Sequence, residues 1–186
     1  LIQITLSEPR SELLMEMRDT IKILVDGYLQ NPNIVSYLTK ICVHDYSTQQ
    51  HLINVMLYCM GYAYSNGFTK DDIEVYGLIG LMHDIGKVSI PDYVLQARRK
   101  LTPKEWEKIK DHPASGWRIL RTCDFDVRVR IAAQEHHERL DGSGYPDGKT
   151  GQDLYEASKV LSIIDTFEAL TTWRPYKDPI KPFNAL

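Results

Sequence analysis

Val75-Tyr76-Gly77-Leu78-Ile79-Gly80-Leu81-Met82-His83-Asp84-Ile85-Gly86-Lys87 is an apolar run that stops in a histidine–aspartate pair. The spacing predicts a helix reaching His83, and Thr69-Lys70-Asp71-Asp72 has the capping-box character that would start it. Adjacent side chains inside a regular helix diverge by about 100°, because one turn takes 3.6 residues. At a helix terminus that restriction lapses, so His83 and Asp84 can point toward one place. The string His136-His137-Glu138-Arg139-Leu140-Asp141-Gly142-Ser143-Gly144-Tyr145-Pro146 repeats the device, with a polar pair at an expected helix end and glycines after it.

Helical punctuation continues on both sides. Leu13, Met17, Ile21, Leu24 and Tyr28 lie three or four apart and form an apolar stripe that ends at Asn31-Pro32. A second helix is expected from about Thr48 to Asn66, stopped by Gly67. Thr102-Pro103-Lys104-Glu105 starts another, with proline at the first helical position, and His112 is expected to close it before Pro113. Further helical patterns cover about 114–122, 126–137 and 154–171. Convincing alternating strands, fixed-period repeats and low-complexity tracts are absent. The expected fold is all-α, with a helix and linker region over 1–45 and a catalytic domain over 46–186.

The 186 residues suit one full-sized core, and 25% charged with 43% hydrophobic residues is an ordinary globular composition. A net charge of −3 offers no global attraction for a DNA or RNA duplex or an anionic membrane. A phosphate-bearing ligand would have to be held by local cations. No run of about 18 apolar residues is present, so no membrane span is expected, and no secretory signal pattern opens the chain. Cys42, Cys59 and Cys123 are scattered without paired spacing, which favours a reduced, cytoplasmic setting. The chain begins at Leu1 and stops at Asn184-Ala185-Leu186 in what reads as a new helix. A C-terminally truncated piece of a longer protein, with a regulatory domain upstream, is therefore expected.

Neutral imidazole is the commonest side-chain metal ligand near neutral pH. A lone histidine is more often a hydrogen-bonded core or surface residue, but two adjacent pairs at helix ends are hard to explain that way. His51 lies inside the second helix, and Asp165 interrupts the apolar run Val160-Leu161-Ser162-Ile163-Ile164. A carboxylate on an apolar helix face is costly unless a cation or donors meet it. Mixed imidazole and carboxylate ligands suit Fe, Mn, Zn, Ni or Co better than Ca or Mg. His44-Asp45 is a second such dipeptide, but it precedes the helix and has no lysine three residues on, so it reads as a loop pair.

His83-Asp84-Ile85-Gly86-Lys87, Ile90-Pro91-Asp92, His112-Pro113, the string from His136 to Pro146, and Ala169-Leu170-Thr171 with Arg174-Pro175-Tyr176 follow in order. Together they resemble the HD-GYP family of cyclic dinucleotide phosphodiesterases, roughly over residues 47–180. The resemblance implies an HD-domain helical bundle with a di-metal site in its core. His51, His83, Asp84 and Asp165 would hold the first ion. Asp84 would bridge to a second, completed by His112, His136 and His137. Two divalent ions are implied, with Fe or Mn favoured and Ni, Co or Zn as alternatives. Asp84 and Lys87 would carry the chemistry, and Lys87, Tyr145, Arg174 and Lys177 would contact substrate.

The implied activity is hydrolysis of cyclic di-GMP to linear pGpG or GMP by a di-metal-activated hydroxide. Another cyclic dinucleotide, such as cyclic GMP-AMP, or a non-hydrolytic sensor are the alternatives. The expected partners are the cyclic dinucleotide and the upstream domain, with homodimerisation left open. Glu138 and Arg139 are expected to hold the loop, as by a salt bridge, and Trp106, Trp117 and Trp173 to be core or interface residues. Departures from the family pattern are Ala97-Arg98-Arg99 for a Lys-Pro-Gly-like turn, Ser158-Lys159 for an Ala-Arg pair, and Ser47 where some members carry Glu. Serine there is too short to ligate, so two ions are expected rather than three.

Overall fold

The computed structural model describes residues 10–31, 48–172 and 179–185, and within them the chain folds as helices around an apolar core. The order is α1 (Ser11–Gln30), α2 (Thr48–Ser65), α3 (Lys70–Met82), a 3-10 turn (Ile85–Ser89) and α4 (Asp92–Leu95). It continues with α5 (Pro103–Lys110), α6 (His112–Thr122), α7 (Val127–Glu135), α8 (Glu156–Thr171) and α9 (Pro182–Ala185). Among the described residues the sole β-type pairing is an isolated bridge between Asp141 and Thr150. The all-α expectation holds.

Local chemistry accounts for the helix ends. Thr69 Oγ1 accepts the Asp72 N–H and starts α3, and Gly67 turns the chain after α2 with φ of 72°. At α5 a full capping box forms: Glu105 N–H donates to Thr102 Oγ1 and Thr102 N–H donates to Glu105 Oε2. Arg99 grips the same Glu105 with two hydrogen bonds of 2.8 and 2.7 Å. Ala97-Arg98-Arg99 is thus tied to the helix start by charge.

Two expectations change. The buried stripe of α1 is Leu14, Met17, Ile21, Val25 and Tyr28, while Leu13 and Leu24 are half-buried. The helix packs on α3, where a Cβ on Gly77 would lie 3.3 Å from Ile21 Cγ2. His112 opens α6 instead of closing α5, which stops at Lys110. Pro113 then occupies the first turn of a helix, where its missing N–H has no intrahelical partner to lose.

α2 and α3 are pressed together closely enough to bring His51 beside His83. A Cβ on Gly80 would stand 2.7 Å from Met56 Cα and N, so only glycine lets these backbones meet. Around that contact Leu52, Leu57, Met60, Ile79, Met82 and Leu161 are at most 2% exposed. Each such side chain contributes roughly 1.5–3 kcal/mol of burial. Trp106 is 45% exposed, so it is not a core residue. Trp117 is half-buried with the Arg121 guanidinium 5.2 Å from its ring. His44, Asp45, Ser47, Trp173, Arg174 and Lys177 lie outside the described residues.

Candidate metal centre

Seven residues expected from the sequence meet at one place. Their ligand atoms form two groups, Asp84–His112–His136–His137 and His51–His83–Asp165, each with atoms within 4.8 Å of one another. Asp84 stands between them. Its Oδ2 faces His83 Nε2 at 3.4 Å and His51 Nε2 at 3.9 Å. Its Oδ1 faces His112 Nε2 at 3.3 Å and His136 Nε2 at 3.7 Å. Asp165 Oδ1 closes the first group, 3.2 Å from His51 Nε2 and 3.9 Å from His83 Nε2. His83, His112 and His136 are 1% exposed and Asp84 3%, so water does little to solvate these groups.

The imidazoles are oriented from behind. Nδ1 of His83 bonds Gly80 O at 2.8 Å, that of His112 bonds Ile109 O at 2.7 Å, and that of His136 bonds Ala133 O at 2.8 Å. A carbonyl can only accept, so Nδ1 carries the proton and each neutral ring aims an Nε2 lone pair inward. His112 Nε2 and His136 Nε2 then face each other at 3.2 Å, two lone pairs without a proton between them. His83 Nε2 and Asp84 Oδ1 are buried and hydrogen-bonded to nothing among the described residues. Orphaned buried acceptors that converge in this way fit divalent cations, and the donor set is the one intermediate metals favour.

The ionisation states agree with that fit. Burial pushes His136 down to about 4, and burial reinforced by His136 and His112 lowers His137. Burial alone would raise Asp84, but the Lys87 ammonium beside it outweighs that and holds its carboxyl well below the usual range. Asp165 is likewise held low, against burial, by His51 and His83. Neutral imidazoles and ionised carboxylates are the ligating forms. His51 differs. Burial works to lower it, yet its hydrogen bonds to Asp165 and Glu168 raise it to about 9.

Lys87 reaches back from the 3-10 turn and donates to Asp84 Oδ2 at 2.5 Å. Gly86 before it is required for space: a Cβ there would stand 1.9 Å from His112 O, so glycine admits α6 against the His83-Asp84 turn. Tyr145 lies over His137, with ring centroids 4.8 Å apart at 33°, and its N–H donates to His137 O at 3.2 Å. Burial raises the Tyr145 phenol to about 12, so it is a hydrogen-bond donor at neutral pH. A cavity of about 240 Å³ is lined by Thr48, His51, Asp84, Lys87, His137, Asp165 and Ala169.

Several contributors were not foreseen. Thr48 and Ala169 line the cavity because they sit about one turn from His51 and Asp165 on the same helix faces. Glu168, fully buried, accepts from Asn54 Nδ2 and Thr172 Oγ1 at 2.9 Å and bonds His51 Nδ1 at 2.6 Å. Glu138 does hold the loop, but not by a salt bridge with Arg139. Its Oε1 takes the Asp147 and Gly148 N–H groups at 2.7 and 3.0 Å, and Oε2 takes that of Lys149 at 3.1 Å. Arg139 instead donates to Ser162 Oγ at 2.8 Å. Gly144 packs onto the same segment, where a Cβ would stand 2.4 Å from Glu138 Cα.

Residues 47–186 match the HD domain family. The chain belongs to that family. Within it, His83-Asp84 and Gly144-Tyr145-Pro146 place this HD domain in the HD-GYP branch. The chain is 32% identical over 168 residues to the cyclic di-GMP phosphodiesterase PA4108 of Pseudomonas aeruginosa, an alignment spanning 90% of this chain and 40% of that protein. It is 34% identical over 170 residues to 3'3'-cGAMP-specific phosphodiesterase 2 of Vibrio cholerae, spanning 90% of this chain and 31% of that protein. The chain thus spans less than half the length of these relatives. Its fold is that of Bd1817, an HD-GYP-type protein from Bdellovibrio bacteriovorus, with a TM-score of 0.79, 21% identity, and coverage of 99% of this chain and 60% of that one.

Proposed function

We propose that the protein is a metal-dependent phosphodiesterase that hydrolyses cyclic di-GMP to linear pGpG or GMP. The observation that carries the reading is Asp84, whose two oxygens face two separate clusters of inward-aimed ligands. His51, His83, Asp165 and Asp84 would hold one divalent ion, and Asp84, His112, His136 and His137 the other. Iron or manganese suits this donor set, with nickel, cobalt or zinc as alternatives. When bound, such ions supply a nucleophile at neutral pH and Lewis acidity toward phosphoryl oxygens.

The protein's own groups would then position and stabilise. Lys87 borders the cavity and brings a cation to phosphoryl oxygens as their charge grows. Tyr145, protonated and packed on His137, would offer a hydroxyl donor to the ligand. Arg174 and Lys177 are assigned to the ligand's phosphate or guanine on the strength of the motif. An upstream regulatory domain and a cytoplasmic setting belong to the same proposal. Support for the first comes from the cyclic di-GMP phosphodiesterase response regulator RpfG of Xanthomonas campestris, to which this chain is 37% identical over 114 residues.

A second reading keeps the chemistry and exchanges the substrate for 3'3'-cGAMP, which the Vibrio cholerae relative favours. Turnover of a panel of cyclic dinucleotides by ion-loaded protein, with products identified, tests both. Release of pGpG or GMP from cyclic di-GMP is expected. Turnover of cGAMP alone selects the second reading, and binding without turnover of any of them refutes the enzyme.

A further inference from the structure

We propose that Glu168 is a positioning residue that makes the His51–His83–Asp165 cluster the tighter of the two ion sites. The inference rests on the metal reading above and adds an order to it.

His83, His112 and His136 are each oriented by a backbone carbonyl three residues earlier. His51 cannot use that device. It lies within α2, where the carbonyls of the preceding turn are engaged by the helix's own N–H groups. A side chain must orient it instead, and Glu168 comes across from α8 to do so, fully buried, at 2.6 Å from Nδ1. The carboxylate is itself aimed by Asn54 Nδ2 and Thr172 Oγ1.

The substitution of a carboxylate for a carbonyl has a chemical consequence. An imidazole whose outer N–H is bound by a carboxylate is a more basic ligand and is held in a fixed tautomer. The first cluster also owns Asp165, whereas the second consists of His112, His136 and His137 and shares Asp84 with the first. Nearby anionic charge is therefore concentrated on the His51 side. A divalent ion gains more there, so the two positions should fill in sequence.

The test is competition between a chelator and the intact protein for Mn²⁺, with ion content and thermal stability followed and no dependence on turnover. The wild type should fill in two steps, and His112→Ala should remove the weaker step only. Glu168→Gln should weaken the tighter step about 10–100-fold and leave the other unchanged. Glu168→Asp, which keeps the charge but withdraws it by one methylene, should lose less than the Gln variant; it also serves if the Gln variant does not fold. Loss of the tighter step in His112→Ala would overturn the proposal. So would Glu168 variants in which neither step moves, or in which both weaken equally as a scaffold defect would produce. A wild-type protein that binds no ion would refute the metal reading itself.

Discussion

Replacing Lys87 separates two roles that the structure superimposes. Its ammonium lies 2.5 Å from Asp84 Oδ2, with the lysine side chain 32% exposed and the carboxylate 3% exposed. Removing one partner of a fully buried pair costs about 3–5 kcal/mol, because the other charge is left uncompensated. Lys87 is partly solvated, so the loss in Lys87→Met should be nearer ~2 kcal/mol in the ion-free protein. For a chain of this size that is a fall of about 4–8 °C in Tm. With ions bound, Asp84 has other counter-charges and the stability difference should nearly vanish.

A thermodynamic cycle then sets the ion affinity. If the variant is destabilised by about 2 kcal/mol without ions and by nothing with them, total ion binding must strengthen by the same amount. At about 1.4 kcal/mol per decade that is about 30-fold. Turnover should move the other way and fall by about 10²–10³, as expected when one donor to the phosphoryl charge is lost. The assay is thermal denaturation with and without chelator, a Mn²⁺ competition titration, and turnover of cyclic di-GMP. An equal fall in Tm with and without ions, or weaker ion binding by the variant, would refute the reasoning, since Lys87 would then be an anchor of the fold.

Asp84→Ala should lose most bound ion and all turnover while its far-UV circular dichroism stays helical; near-normal turnover would exclude the two-cluster mechanism. Gly86→Ala forces a Cβ to 1.9 Å from His112 O, and overpacking of this kind costs about 1–3 kcal/mol or more, measurable by urea denaturation. Arg128 holds Asp126 and Asp72; hydrogen bonds donated by Thr69 and Arg128 to Asp72, and by Arg128 to Asp126, keep both carboxyls below their usual range, and the groups are about one-third exposed. Their folded-state pKa values are depressed, so the stabilisation is present above the unfolded value near about 4 and is lost as pH falls through the folded values. Arg128→Ala should therefore be less stable by about 1 kcal/mol or less at pH 7, with the gap closing below about pH 4.

The candidate ligands were legible because their signal is local. His83-Asp84 and His136-His137 stand at helix ends, and a helix end is written in the apolar period that precedes it and the glycine that follows. Asp165 was legible because it breaks an apolar face. Glu168 is three residues further on, also acidic and also in a helix, but nothing local marks it as fully buried; its meaning comes from α2 lying across α8. Glu138 was visible as a motif member, yet its partners are backbone N–H groups 9 to 11 residues away, which side-chain patterning does not reveal. Pro113 marked a helix boundary correctly but not its direction, since proline is compatible with the first turn of one helix and with the stop of another.

The placement of the histidines at helix ends solves two problems with one side chain. The last turn of a helix leaves carbonyls without intrahelical partners, and a buried carbonyl must be satisfied. His83 and His136 follow directly on α3 and α7, and His112 follows α5 after Asp111. Each returns its Nδ1–H to the carbonyl three residues back, and that same hydrogen bond turns Nε2 toward the centre. The C-terminal ends of helices also carry partial negative charge, so α3 and α7 direct a field that favours cations onto the place where His83 and His136 converge. Helix termination, ligand orientation and electrostatic preference are thus consequences of one placement. His51, in the first turn of α2, has none of the three, and it is the histidine to which a buried carboxylate has been supplied.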